Sequence, residues 1–96
     1  MRLDVSQAAQ ADLIEILAYS RKTWGYVRAT AYLNALREAT RSLSRGDLSG
    51  QRADDVATGL RRLVVGSHVI WFRIEGEVLR IIRVLHGSRD AGRWVE

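Results

Sequence analysis

The strongest constraint on the fold lies in the last third of the sequence, where residues 60–65, 68–74 and 77–86 are dense in Val, Ile, Leu, Trp and Phe. Only Gly66-Ser67 and Glu75-Gly76 separate these runs, and two-residue links that contain glycine are hairpin signals. The pattern predicts a three-stranded antiparallel meander over 60–86. A sheet with one wet face alternates apolar and polar residues, and this one does not. Strict alternation puts His68, Ile70, Phe72 and Ile74 on one face of the second run, and Val69, Trp71 and Arg73 on the other. In the third run it groups Val78, Arg80, Ile82, Val84 and His86 against Leu79, Ile81, Arg83 and Leu85. Both faces are largely apolar, so both need a cover.

The first half of the chain supplies one cover. Residues 2–5 alternate briefly, as a short strand does, and Ser6 stands where a helix N-cap belongs. Ala9, Leu13, Ile16 and Leu17 then recur at helical spacing up to Trp24-Gly25, and Tyr32, Leu36, Ala39 and Leu43 do so up to Arg45-Gly46. This predicts a helical hairpin over 6–45 with a tight link. Residues 46–59 carry three glycines and three aspartates with little periodicity, so they read as a loop, and 87–96 form a C-terminal tail. A chain of 96 residues with one such set of elements is a single domain of the α+β class. The second apolar face is left to the tail, to self-association or to another chain. Trp71, Arg73, Arg80, Arg83 and Trp94 are of the types enriched at interface hot spots, which favours a partner. Packing of Trp71 beneath the tail of its own chain is the alternative.

The charge is +4, and Lys22 is the one lysine among 15 basic residues. Arginine suits planar, bidentate pairing with carboxylate or phosphate, but the basic groups are interleaved with acids, which argues against a simple nucleic-acid-binding module. With no cysteine there is no disulfide framework and no thiolate chemistry, as expected in a reducing cytosol. The two histidines and the carboxylates show no metal-ligand spacing, and no glycine-rich phosphate loop occurs. No apolar run approaches the roughly 18 residues of a membrane span, and the opening residues lack the pattern of a secretory signal. These features predict a cytoplasmic protein without metal, cofactor or membrane contact. His86 is the one position suited to acid–base work, with Arg83 and Arg89 close by in sequence. A structural hydrogen bond at the strand end is its alternative role, and the same holds for His68 after the Gly-Ser link.

Ala11-Asp12-Leu13 with Glu15-Ile16 and Tyr19, Trp24-Gly25 with Ala31-Tyr32 and Leu36, Gly59-Leu60-Arg61-Arg62, the run from Gly66-Ser67-His68 to Arg73, and Ile81-Ile82-Arg83-Val84-Leu85-His86 occur in an order that resembles the ParE-type toxins of bacterial type II toxin–antitoxin systems, within the RelE/ParE superfamily. The resemblance implies a β-α-α-β-β-β fold with a helical hairpin on one face of an antiparallel sheet. It implies a ParD-like antitoxin that wraps the toxin in a heterotetramer or larger complex and carries the DNA contact, and DNA gyrase as the target, inhibited by binding. On that reading Trp71, Arg73, Arg80, Tyr32 and Leu36 meet the antitoxin, and Arg83, His86, Arg89, Arg93 and Trp94 meet the target. A RelE-like, ribosome-dependent messenger-RNA endonuclease is the alternative, with His86, Arg61 and Arg83 as its only candidate catalytic groups because Tyr19, Tyr26 and Tyr32 all fall in the helical half.

Overall fold

The computed structural model describes residues 1–95. Strand β1 (Arg2–Val5) leads into helices α1 (Gln7–Trp24) and α2 (Tyr26–Arg45), followed by strands β2 (Gln51–Arg52), β3 (Arg61–Val65), β4 (His68–Glu75) and β5 (Val78–His86), and one 3₁₀ turn (Ala91–Arg93). The Ser6 hydroxyl accepts the Ala9 N–H at 3.0 Å, which caps α1 as the sequence predicts. It also donates to the Ile82 carbonyl at 2.7 Å, tying the start of α1 to β5.

The sheet order is β1-β5-β4-β3-β2. Two features depart from the sequence reading. The sheet is mixed, because β1 runs parallel to β5; a parallel pair needs a long crossover, and everything between β1 and β5 provides it. Residues 46–59 are not wholly loop, because Gln51 and Arg52 pair with Arg62 and Arg61 and add a fifth strand at the far edge.

The meander forms as predicted, but its faces do not alternate strictly. Trp71 pairs with Arg83 and Phe72 with Ile81, which leaves Ile82 as an extra residue in β5. Such a bulge reverses the side on which later residues point. Leu79, Ile81 and Val84 therefore share the helix-facing core with Ile70 and Phe72, under Leu36, Ala39 and Leu43 of α2 and Ile16 of α1. On the opposite face Trp71 and Leu85 pack with Ala53, Leu60, Ala91 and Val95. The second apolar face is thus covered from within the chain, by residues 53–60 and by the tail.

Candidate functional site

An open groove of about 600 Å³ runs between α1 and the end of β5. Asp12, Glu15 and Tyr19 form its α1 wall, His68 and His86 lie on its floor, and Arg89 and Trp94 of the tail close the other side. The groove exists because β1 ends opposite Ile81 and leaves the last residues of β5 as a free edge. Asp12 fills part of that edge. Its two carboxylate oxygens accept from Arg83 Nε at 2.8 Å and Nη2 at 2.7 Å, and one of them also accepts the Val84 N–H at 2.9 Å. This bidentate pair is shielded, with the two side chains 18% and 11% exposed, and the Asp12 hydrogen bonds raise the Arg83 pKa above its ordinary value.

The floor is an aromatic chain. The Trp24 and Tyr32 rings meet edge to face, Tyr32 leans on His68, and His68 meets His86 edge to face at 5.5 Å. The Tyr32 hydroxyl lies 2.6 Å from His68 Nδ1 and accepts the Ser67 N–H at 3.1 Å. Burial, followed by the neighbouring His86, pushes the His68 pKa below its ordinary value, with Asp12 pulling the other way. His86 Nδ1 lies 2.8 Å from the Ser88 hydroxyl and accepts the Ser88 N–H. The local strand-end hydrogen bond considered for His86 is present, while His68 is held by a side chain 36 residues away.

The sequence-predicted residues separate into distinct places. Arg83, His86, Arg89 and Trp94 line one groove, and Arg93 is exposed on the same tail. Arg61 is elsewhere: it pairs with Phe72, four residues along β3 from Val65, the position that faces His68. At about 3.3 Å per residue this is roughly 13 Å, so the three groups named for a nuclease are not brought together. Tyr32 shows why its position in the sequence misled, since its hydroxyl reaches the sheet although the residue belongs to α2. Leu36 is fully buried and Trp71 is 6% exposed in the second core. Neither offers surface to a partner, which corrects their place in the expected antitoxin contact set. Arg80 is exposed and pairs with Asp4 and Glu75, while Arg73 is half-buried opposite it.

A second, smaller opening of about 360 Å³ lies between the start of α1 and the second half of α2, beside β1. Leu3, Val5, Leu13 and Ile81 form its apolar floor, and Arg37 and Arg41 stand on its rim. Sequence reasoning did not find it, because its lining comes from four separate elements, β1, α1, α2 and β5, rather than from any one motif. Asp12 was also missed as an organising residue. Its one legible signal was an acid beside the apolar stripe of a helix in a basic chain.

The fold is thus a helical hairpin laid on one face of a five-stranded mixed sheet, with a groove opening at the free edge of the last strand. The comparisons agree with the geometry. The family model for the ParE toxin of the type II toxin-antitoxin system, parDE, matches residues 3–91. Toxin ParE1 of Caulobacter vibrioides is 37% identical over 87 residues, covering 91% of this chain and 90% of that protein. Toxin ParE1 of Mycobacterium tuberculosis is 36% identical over 90 residues, covering 93% and 92%. A solved chain from the chromosomal ParDE TA system of P. aeruginosa shares the fold with a TM-score of 0.78 at 22% identity, over 90% of this chain and 95% of that one. The chain belongs to the ParE toxin family of type II toxin–antitoxin systems.

Proposed function

We propose that the chain acts in the cytoplasm as the toxin of a ParDE-type pair, halting growth by binding DNA gyrase, and that a ParD-like antitoxin silences it. The observation that carries this reading is the match of residues 3–91 to the parDE toxin family. The chemistry of the groove favours binding over catalysis. Asp12 holds the Arg83 guanidinium by two hydrogen bonds, Ser88 engages His86 Nδ1, and Arg61 is two strands away from β5.

The target face is the groove end formed by Arg83, His86, Arg89, Arg93 and Trp94. The antitoxin face is the opening between the start of α1 and the second half of α2, continued by the Arg73–Arg80 strip on the other face of the sheet. An apolar floor rimmed by Arg37 and Arg41 suits an amphipathic, acidic segment, whose apolar side fills the opening while its carboxylates pair with the guanidiniums. Tyr32 supports the hairpin from within. The toxin–antitoxin assembly is a heterotetramer or larger, and operator DNA is contacted through the antitoxin.

Supercoiling assays test the target. The purified chain is expected to inhibit gyrase, to lose that effect when the product of the adjacent reading frame is added, and to leave ribosome-bound message intact. Cleavage of message that disappears in His86→Ala would replace this reading with the nuclease one.

A further inference from the structure

Folding sorts the charges of this chain. Asp12 pairs with Arg83, Glu38 and Asp47 with Arg45, Asp54 with Arg52, and Asp4 and Glu75 with Arg80. Residues 16–37 contain no acid at all. Among the described residues Arg21, Lys22, Arg28 and Arg89 make no ion pair. Three of these cations lie against exposed rings: Arg21 is 5.2 Å from the centre of Tyr26, Arg28 is 5.7 Å from Trp24, and Arg89 is 4.7 Å from Trp94. Tyr26 is 65% exposed, and Trp24 and Trp94 are 40% and 42% exposed. Trp24 at the helical link and Trp94 and Arg89 on the tail line the same groove, and Arg28 against Trp24, with Arg21 against the neighbouring Tyr26, extends this track outside the groove at the link.

We propose that this track binds a single-stranded polynucleotide, with bases stacked on Tyr26, Trp24 and Trp94 and phosphates met by Arg21, Arg28 and Arg89. Exposed rings beside unpaired guanidiniums meet the two needs of a single strand, a stacking platform and a neutralised backbone. An acidic peptide uses the cations but not the exposed ring surface beside them, and a duplex keeps its base faces inside the stack. Glu15, on the α1 wall of the groove, has no ion pair among the described residues and directs phosphates toward the tail side. The proposal goes beyond the toxin reading: it shares Arg89 and Trp94 with the proposed target face, but Arg21, Trp24, Tyr26 and Arg28 lie outside that face and its assay is separate.

The test is fluorescence anisotropy of the purified chain with labelled DNA or RNA strands of about 12 nucleotides. Saturable binding is expected, with a log–log salt slope of about −2 to −3 and weaker binding of the matched duplex. The DNA and RNA arms identify the preferred backbone. Tyr26→Ala and Trp94→Ala are each expected to weaken binding about fivefold or more, and Arg28→Glu tests the charge without removing a ring. Circular dichroism confirms that each variant is folded. Absence of binding at low salt, equal affinity of the ring variants and the parent, or displacement by polyglutamate at matched charge would overturn the proposal. Gyrase inhibition by the parent chain, Tyr26→Ala and Arg28→Glu, which leave the proposed target face intact, reports on the toxin reading alone.

Discussion

Asp12 carries more of the site's geometry than any other residue, since one carboxylate holds the Arg83 guanidinium and ends the β5 edge by accepting the Val84 N–H. Arg83 in turn sits 5.5 Å from the Trp94 ring, so α1, β5 and the tail meet at this pair. Asp12→Ala leaves a shielded guanidinium and a strand N–H without their acceptor. It should cost about 2–4 kcal/mol, seen as a lower urea midpoint at unchanged m-value, and it should free the indole of Trp94. His68 makes a second prediction, on pH. Its folded pKa lies below the unfolded value of about 6.5, so the unfolded chain binds the proton first as pH falls. The stability it supports is complete above about pH 6.5 and is lost as pH drops through the lowered folded value. The midpoint of thermal unfolding should therefore fall with pH in that window, and His68→Gln should flatten the slope there. Glu38 and Asp54, held below the ordinary carboxylate range by Arg45 and by the Gly59 N–H respectively, lose their contribution only at lower pH, as each is protonated, and so leave the slope in the histidine window unchanged.

The elements were legible wherever their signal is local. The Ser6 cap, the helix ends at Trp24-Gly25 and Arg45-Gly46 and the three strands of the meander all follow from caps, glycine punctuation and periodicity read off adjacent residues. The bulge at Ile82 was not legible, because no single residue in an apolar run announces which member is extra. Strand β2 was missed for a related reason: two residues carry no periodicity, and pairing with β3 depends on the approach of residues 46–50. Gly50 controls that approach. Its φ is +68°, and a Cβ there would lie 2.7 Å from the Arg62 carbonyl oxygen and 2.9 Å from the Phe72 ring. The C-cap of α2, Gly46, also has positive φ, at +85°, but a Cβ there meets open space. Gly46→Ala should therefore cost only the left-handed strain of about 1–2 kcal/mol. Gly50→Ala adds overpacking and should cost about 2–5 kcal/mol in all, with the extra loss read as faster hydrogen exchange in β2. Equal costs at the two sites would mean that the backbone moves aside freely and that Gly50 does not set the edge.

At the scale of the whole molecule, a sheet apolar on both faces demanded two covers, and the chain supplies both. The hairpin covers one face as expected, while the second core is closed by residues 53–60 and by the tail. The tail's share was hard to weigh from sequence because Ala91 and Val95 are the two residues by which it enters that core, and Gly92, Arg93 and the half-exposed Trp94 stand between them. The two covers differ in strength. The hairpin buries a row of large side chains against the sheet, whereas the tail's largest buried side chain is a single valine, worth about 1.5–3 kcal/mol. Local release of the tail should therefore cost less than release of the hairpin. A charge placed at its anchor, Val95→Asp, should detach the tail rather than unfold the domain, since exposing one strip of the second core costs less than burying an unpaired carboxylate. Iodide quenching of Trp71 should then rise and amide exchange over 88–95 should accelerate, while the helices and β1 keep their protection. If the whole domain instead lost protection together with the tail, the two covers would be one cooperative unit, and the tail, with the target face proposed on it, would be as rigid as the core beneath it.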